Sequence, residues 1–321
     1  MENIQSLLLE QIRKKLAKHV SLQDELAEVL GISIDSSYRR VRGATAMSLE
    51  EASLLCNRFD ISLDELLALK NNSVTFKFRN ITSSDFTLIG WLENIRVNLE
   101  TISKFNHKEI IYCSKDFPIF YYYQIPELAA FKNYFWMKVY LRYHDYENIK
   151  FDFSTLSSEI IQIENRIWDL YKVVPSKEIW SFDMANITIH QIEYSYACGF
   201  ISRDQAISLL NHLSQLLSNT RDFALEGSKN NSHRNFVLYH NDILSSDTAI
   251  LVKADDKLIA YQSSLINILS THQVDYCTTL EQILNNSMSR SNLISQTGER
   301  ERNKFFNILS RKVTHSLNEI N

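Results

Sequence analysis

The chain has 321 residues, of which only 6 are Gly and 3 are Pro. Because these residues form most tight turns and phosphate-binding loops, their scarcity argues against all-β folds. No GxGxxG or GxxxxGK[ST] motif is present, so dinucleotide-fingerprint and P-loop enzymes lack their defining residues. Apolar residues make up 45% of the chain and charged residues 22%, which is typical of a globular protein, and the length predicts about two domains.

The net charge of −4 gives no indication of nucleic-acid binding, so any basic surface has to be local. We expect no signal peptide, since acidic and amide residues lie among the first leucines and no small-residue cleavage site follows. We also expect no membrane-spanning segment, since charged residues and prolines interrupt the most apolar stretch of the chain. The cysteines are widely spaced and form no CxxC pair, which predicts buried, reduced thiols in a cytoplasmic protein rather than disulfides or a zinc site. They are Cys56, Cys113, Cys198 and Cys277.

Apolar residues at helical spacing predict five helices in the first seventy residues. Their predicted ranges are 1–17, 22–30, 33–43, 49–59 and 63–69. Gly31 is expected to end the second helix and Gly43 the third, because glycine adopts the left-handed backbone of a sharp turn. Two helices joined by a tight glycine turn are typical of helix-turn-helix geometry.

The third helix is the candidate for reading DNA. We expect Ile34, Tyr38 and Val41 to face inward, since they share one face at i, i+4 and i+7. The opposite face would then carry polar and basic side chains. These are Ser36, Ser37, Arg39 and Arg40, with Arg42 at the end.

The segments LQDELAEVLGISIDSSYRRVRG and SLEEASLLCNRFDISLDELL resemble the phage-repressor (Cro-type, xenobiotic-response-element) DNA-binding family. The resemblance covers roughly residues 5–70, about a fifth of the chain. It implies a five-helix, lambda-repressor-like helix-turn-helix domain in a bacterial-type transcription regulator. One departure is that Ser37 stands where family members place an apolar residue, and Tyr38 follows one position later. The third helix therefore either begins a residue late or is rotated.

A recognition helix contacts bases mainly through its N-terminal half, which favours Ile34, Asp35, Ser36 and Arg39 as base contacts. Arg40 and Arg42 are expected to clamp phosphates, helped by the start of the second helix near Gln23. The complete candidate set is Gln23, Ser33, Ile34, Asp35, Ser36, Ser37, Arg39, Arg40 and Arg42.

Residues 1–70 contain nine Lys and Arg against eleven Asp and Glu. Binding by a single domain should therefore be weak, and a homodimer reading two half-sites is expected.

The predicted fold class is mainly α, with the helix-turn-helix domain at 1–70 and a hinge at 71–73. Residues 74–321 are expected to form a mostly helical α+β domain with a small antiparallel sheet, for dimerisation and possible sensing of a small molecule or peptide. Strands are predicted at 75–79, 108–113, 235–240, 248–254 and 257–262, and the main helices at 84–104, 154–173, 182–199, 202–226 and 299–317. A tetratricopeptide-like arrangement of paired helices is a further possibility.

Few residues beyond 74 suggest chemistry. His240 and Asp242 could form a proton-transfer pair, but a structural histidine is the favoured interpretation. Cys198 is expected to be a buried small hydrophobe. With no HExxH, GxSxG or spaced His/Cys set, we expect no enzyme activity, no cofactor and no metal.

Two surfaces in this region remain open to more than one interpretation. The aromatic region 117–143 is predicted to be core, with a ligand pocket or dimer surface as the alternative. The arginines near the last helix could hold an anion, with a solvated helix start as the favoured alternative. They are Arg290, Arg300 and Arg302.

The sequence thus predicts a cytoplasmic, sequence-specific regulator that binds double-stranded DNA. Two other functions stay open. One is a protein-interaction scaffold whose helix-turn-helix module no longer contacts DNA. The other is a small-molecule sensor in which the C-terminal domain is the main functional unit.

Overall fold

The structure is a computed structural model, and it describes residues 3–17, 19–63, 66, 74–78, 80–81, 86–153, 157–230, 234–243, 248–264 and 267–320. The chain forms two compact units, Met1–Thr75 and Phe76–Asn321. The predicted hinge at 71–73 lies outside the described residues, as does most of the predicted fifth helix. Among the described residues, no helix is both long enough and apolar enough to cross a bilayer.

Four helices form the described part of the first unit, close to their predicted ranges. They are α1 (Ile4–Lys15), α2 (Leu22–Leu30), α3 (Ile34–Val41) and α4 (Leu49–Phe59). Serine side chains cap α2, α3 and α4 by accepting a backbone N–H from the first turn, which satisfies a donor that the helix leaves unpaired. A small apolar core joins α1, α2 and α4. It consists of Leu8, Leu9, Ile12, Leu22, Leu26, Leu55 and Cys56.

The second unit contains a seven-stranded mixed sheet in the order β6-β5-β4-β1-β2-β3-β7. Its strands are β1 (Lys108–Ser114), β2 (Ser176–Trp180), β3 (Phe236–His240), β4 (Ala249–Ala254), β5 (Lys257–Ser264), β6 (Asn267–Thr271) and β7 (Asn292–Leu293). β1, β2 and β3 are parallel, and the remaining pairs are antiparallel. The predicted fold class is therefore wrong. The protein is α+β, 59% helical, with a sheet larger than the small antiparallel one expected.

The strands predicted at 248–254 and 257–262 are present, and they form the antiparallel hairpin of β4 and β5. Ala254 pairs with Lys257, and Asp255 in the turn has a φ of 51°. The strand predicted at 75–79 is reduced, in its described part, to a single antiparallel bridge between Lys77 and Ser270. β2, β6 and β7 were not predicted. β2 is the most consequential omission, because it lies between β1 and β3 and makes the centre of the sheet parallel.

Helices connect the parallel strands, as parallel pairing requires. The helices of this unit are α5 (Leu88–Ser103), α6 (Ile119–Tyr122), α7 (Pro126–Phe135), α8 (Ser158–Val173), α9 (Asn186–Ala197), α10 (Arg203–Glu226), α11 (Val274–Ser289) and α12 (Glu299–Ile320). α7 continues directly into a π-helical turn at Trp136–Tyr140, and a short 3-10 helix follows at His144–Tyr146. The chain from β1 to β2 passes through α6, α7 and α8, and the chain from β2 to β3 passes through α9 and α10.

The aromatic region 117–143 belongs to the core, as predicted. Tyr121, Tyr122, Tyr123 and Phe131 are each at most 2% exposed, and they pack with α8 and the sheet. Tyr140 is an exception, since its side chain is largely exposed. Burial of these large rings removes much apolar surface from water and so stabilises the packing of the long helices against the sheet.

Candidate nucleic-acid interface

The turn between α2 and α3 is built by local backbone chemistry. Gly31 ends α2 with a φ of 62°, and the N–H of Ile32 donates to the carbonyl of Ala27. Ser33 then begins α3, its hydroxyl accepting the N–H of Ser36 at 3.3 Å. Only two residues therefore separate the end of one helix from the first cap of the next. The tight turn predicted at Gly31 is present.

The orientation of α3 differs from the predicted one. Ser37 is fully buried and donates a hydrogen bond of 2.7 Å to the backbone carbonyl of Gln23. Ile34 is 63% exposed and Tyr38 46% exposed, whereas Val41 is half-buried against the apolar core. The inward face is thus Ser37 and Val41, and the prediction that Ile34 and Tyr38 face inward is wrong. Ser37 cannot contact DNA, because the α2–α3 contact encloses its side chain.

The outward face of α3 consists of the side chains that this rotation exposes. They are Ile34, Asp35, Tyr38, Arg39 and Arg42, with Ser36 partly exposed beside them. Arg39 Nη2 lies 3.8 Å from Asp35 Oδ2, a pair whose side chains are both largely exposed and which therefore holds Arg39 only weakly. The guanidinium of Arg42 lies 5.6 Å from the centre of the Tyr38 ring. Two arginines and a tyrosine thus point into solvent together.

Arg40 does not belong to this face. Its Nε and Nη2 atoms donate to both carboxylate oxygens of Glu51, at 2.9 and 2.6 Å, and its Nη1 donates to the carbonyl of Ser36. The bidentate pair lowers the pKa of Glu51 and raises that of Arg40. A guanidinium occupied in this way ties α3 to α4, which argues against the predicted role of Arg40 as a phosphate clamp.

Gln5 is a second residue that fixes α3, and nothing in its local sequence indicated this. Its Nε2 donates to the carbonyls of Arg40 and Thr45, at 2.7 and 3.0 Å, and its Oε1 accepts the N–H of Met47 at 2.9 Å. These three bonds attach the start of α1 to the segment that follows α3. Gln5 therefore fixes the C-terminal end of α3, and the hydrogen bond from Ser37 to Gln23 fixes its middle.

The start of α2 is a weak candidate for phosphate binding. Gln23 is half-buried, and its Oε1 accepts a hydrogen bond from Ser21. The same first turn carries Asp24 and Glu25, whose charges oppose an incoming phosphate. Glu25 is 3.5 Å from Arg58, which reduces its repulsion, whereas Asp24 is exposed.

Two candidates in the second unit, the His240–Asp242 pair and Cys198, can be compared with their predicted roles. His240 Nε2 lies 2.9 Å from Asp242 Oδ2, and the His240 ring packs against both Phe182 and Phe305. This burial agrees with the favoured structural interpretation. The prediction that Cys198 is buried is wrong, because its thiol lies at the exposed end of α9.

The arginines near the start of the last helix do not form an anion site around Arg302. That side chain is only 3% exposed, and its Nη1 donates to the carbonyls of Ile294 and Gln296. Arg290 and Arg300 are exposed. The favoured interpretation of a solvated helix start therefore fits this segment better than anion binding.

Comparison with known proteins adds no assignment. No protein-family model matches the chain, and no curated protein or solved structure is significantly similar to it.

Proposed function

We propose that the first unit binds double-stranded DNA with sequence preference, with α3 lying in the major groove, and that the protein is a bacterial-type transcription regulator of the cytoplasm. The observation that carries this proposal is the outward face of α3. Arg39, Arg42 and Tyr38 project together from a short helix that follows a two-residue turn. A helix of this kind fits the width of the major groove, and its side chains reach base edges.

The side chains of this face suit different parts of DNA. Arg39 is in the middle of the exposed surface, and an arginine fork recognises the O6 and N7 atoms of guanine. Ile34, at the start of the helix, is an exposed apolar side chain that suits the methyl group of thymine. Arg42, at the C-terminal end, is better placed for a phosphate.

We further propose that two copies of the chain act together, with the second unit bringing them into a homodimer. The first seventy residues have a net charge of −2 (nine basic residues against eleven acidic ones), so bulk electrostatic attraction contributes little to binding. Two α3 helices on one DNA site would supply the missing affinity. The recognised sequence should then contain two related half-sites about one helical turn apart or a multiple of it.

The test is selection of binding sites from random duplex DNA by the purified full-length chain, followed by titration of the selected site. Arg39→Ala should weaken binding to that site and relax the preference at one base position, by about 1–3 kcal/mol for a lost bidentate contact. Arg13→Ala is the matched control, because it removes the same charge from an exposed position in the last turn of α1.

The proposal fails if the selection enriches no sequence. It also fails if Arg39→Ala and Arg13→Ala have equal effects on a selected site. Either outcome would favour the protein-interaction scaffold, in which the same outward face contacts another protein.

A further inference from the structure

A cavity of about 710 Å³ lies within the second unit, at the carboxyl end of β1. Aromatic side chains form much of its wall. They are Trp91, Tyr112, Phe117, Tyr122, Trp136 and Tyr140. A volume of this size matches the cavities that hold small organic molecules. The position fits as well, since the cavity lies beside β1 and β4, and the strand order reverses between these two strands. Ligands of open α/β sheets bind outside the carboxyl ends of strands where the strand order reverses.

A buried cation supports one wall of the cavity. Lys132, on α7, is 1% exposed, and its Nζ donates to Asp116 Oδ2 at 3.3 Å, Thr188 Oγ1 at 3.3 Å and Gln191 Oε1 at 2.7 Å. The ammonium group thereby uses all three of its hydrogens. Burial lowers the pKa of Lys132, and the nearby Asp116 carboxylate opposes that shift. Asp116 also accepts the hydroxyl of Tyr122 at 2.8 Å.

This network fixes the direction in which Gln191 donates. An ammonium group can only donate, so the side-chain oxygen of Gln191 has to face Lys132 and the Nε2 group has to face away. Gln191 lines the cavity, and among the described residues its Nε2 donates to the Tyr140 hydroxyl at the long distance of 3.4 Å. The wall therefore presents an oriented N–H donor, which an acceptor atom of a ligand can engage at a shorter distance.

The charge around this donor favours a negative acceptor. Lys132 lies directly behind Gln191, and Lys115 also lines the cavity. Asp116 supplies the opposing negative charge, but its two oxygens already accept from Lys132, Tyr122 and the N–H of Phe117. The Lys132 ammonium group therefore polarises the Gln191 amide, which strengthens the hydrogen bond that this amide can donate to a negatively charged acceptor.

We propose that this cavity binds a planar aromatic carboxylate, with the ring between the aromatic walls and the carboxylate against Gln191 Nε2. The aromatic side chains supply stacking and edge contacts for the ring. A donor that the Lys132 ammonium group polarises favours an anion over a neutral or cationic ring of the same shape. This inference concerns the second unit alone and does not depend on DNA binding.

Isothermal titration calorimetry of the full-length chain with 1-naphthoate tests the proposal, and 1-naphthylmethylamine is the cationic ligand of matched shape. We expect 1-naphthoate to bind at least about tenfold more tightly than the amine. Gln191→Glu keeps an oxygen for Lys132 but replaces the donor with a negative charge, so it should weaken 1-naphthoate binding by about tenfold or more.

A blocking variant separates binding in the cavity from binding elsewhere. Ile187 is 39% exposed at the start of α9 and lines the cavity, so Ile187→Trp should obstruct it without disturbing the core. Ile283→Trp places the same side chain at an exposed position of α11 that does not line the cavity, and should leave binding unchanged. The proposal is overturned if millimolar 1-naphthoate does not bind, if the amine binds equally well, or if Ile187→Trp has no effect.

Discussion

Arg40 donates two hydrogen bonds to the carboxylate of Glu51, and this pair joins α3 to α4. Both side chains are largely withdrawn from solvent, at 16% and 20% exposure. Geometry and partial burial distinguish it from the exposed Arg39–Asp35 pair, which is longer and more solvated. Arg40, which the sequence suggests as a contact to DNA phosphate, therefore stabilises the first unit instead.

We expect Arg40→Ala to destabilise the first unit by about 1.5–3 kcal/mol, because it removes hydrogen bonds between charged groups and leaves Glu51 without its partner. Arg39→Ala should change stability by less than about 0.5 kcal/mol, as expected for an exposed side chain. Hydrogen exchange of α3 and α4 peptides in the full-length chain measures both. Equal protection in the two variants would show that the Arg40–Glu51 pair has no stabilising role.

Ser37 should not tolerate a larger side chain. It is fully enclosed where α3 meets α2, so Ser37→Leu has to displace neighbouring atoms and should cost about 1–3 kcal/mol. Ser36→Leu adds the same atoms one position earlier, on the partly exposed side, and should have a much smaller effect. Hydrogen exchange of the α2 and α3 peptides compares them. A greater loss of protection in Ser36→Leu would contradict the observed rotation of α3.

Glu164 should make the stability of the second unit depend on pH. It is 3% exposed, and burial raises its pKa to about 7, although a hydrogen bond from Asn133 at 2.7 Å partly opposes the shift. Between the ordinary carboxyl pKa and about 7, the unfolded chain loses this proton while the folded chain retains it. The free energy of unfolding should therefore fall as pH rises through this window, by up to about 1.4 kcal/mol per pH unit.

Glu164→Gln removes this titration and keeps an oxygen for Asn133. We expect its stability relative to the unmodified chain to increase as pH is raised from 5 to 7.5. Urea unfolding followed by tryptophan fluorescence is a suitable measurement, because all four tryptophans belong to the second unit. A difference that does not change with pH would exclude a raised pKa at Glu164.

Gly298, just before α12, is a position where the backbone approaches too closely for a side chain. A Cβ atom there would lie 2.0 Å from the carbonyl oxygen of Leu293. Gly298→Ala should therefore cost about 1–3 kcal/mol or more through overpacking. Gly199→Ala, where the space is open but φ is 68°, should cost about 1 kcal/mol from backbone strain alone. The same fluorescence assay ranks the two, and the reverse order would show that the backbone near Leu293 moves easily.

The sequence by itself determined the elements whose signals are local. The end of α2 at Gly31 and the strands predicted at 248–254 and 257–262 depend on side chains and backbone within a few residues. These positions could be predicted because the interactions that satisfy them lie within the same short segment. The resemblance to phage repressors and the proposal of DNA binding depend on the same local features.

Only the tertiary structure decided which way each element faces when its partners are distant in the chain. The strand β2 was not predicted, and it contains Glu178, which is fully buried and accepts hydrogen bonds from Tyr121, Tyr171, Ser176 and Trp180. Burial of a carboxylate is strongly unfavourable unless hydrogen-bond donors surround it. The donors Tyr121 and Tyr171 come from other helices, so the sequence around Glu178 does not reveal them.

The rotation of α3 and the wall of the cavity follow the same principle. Ser37 faces inward because its hydroxyl reaches the Gln23 carbonyl on α2, a contact that outweighs the apolar spacing of Ile34 and Tyr38. Lys132 and Gln191 meet across 59 residues of sequence. Hydrogen bonds between distant segments form only after the elements pack, so tertiary packing alone sets both the exposed face of α3 and the donor in the cavity.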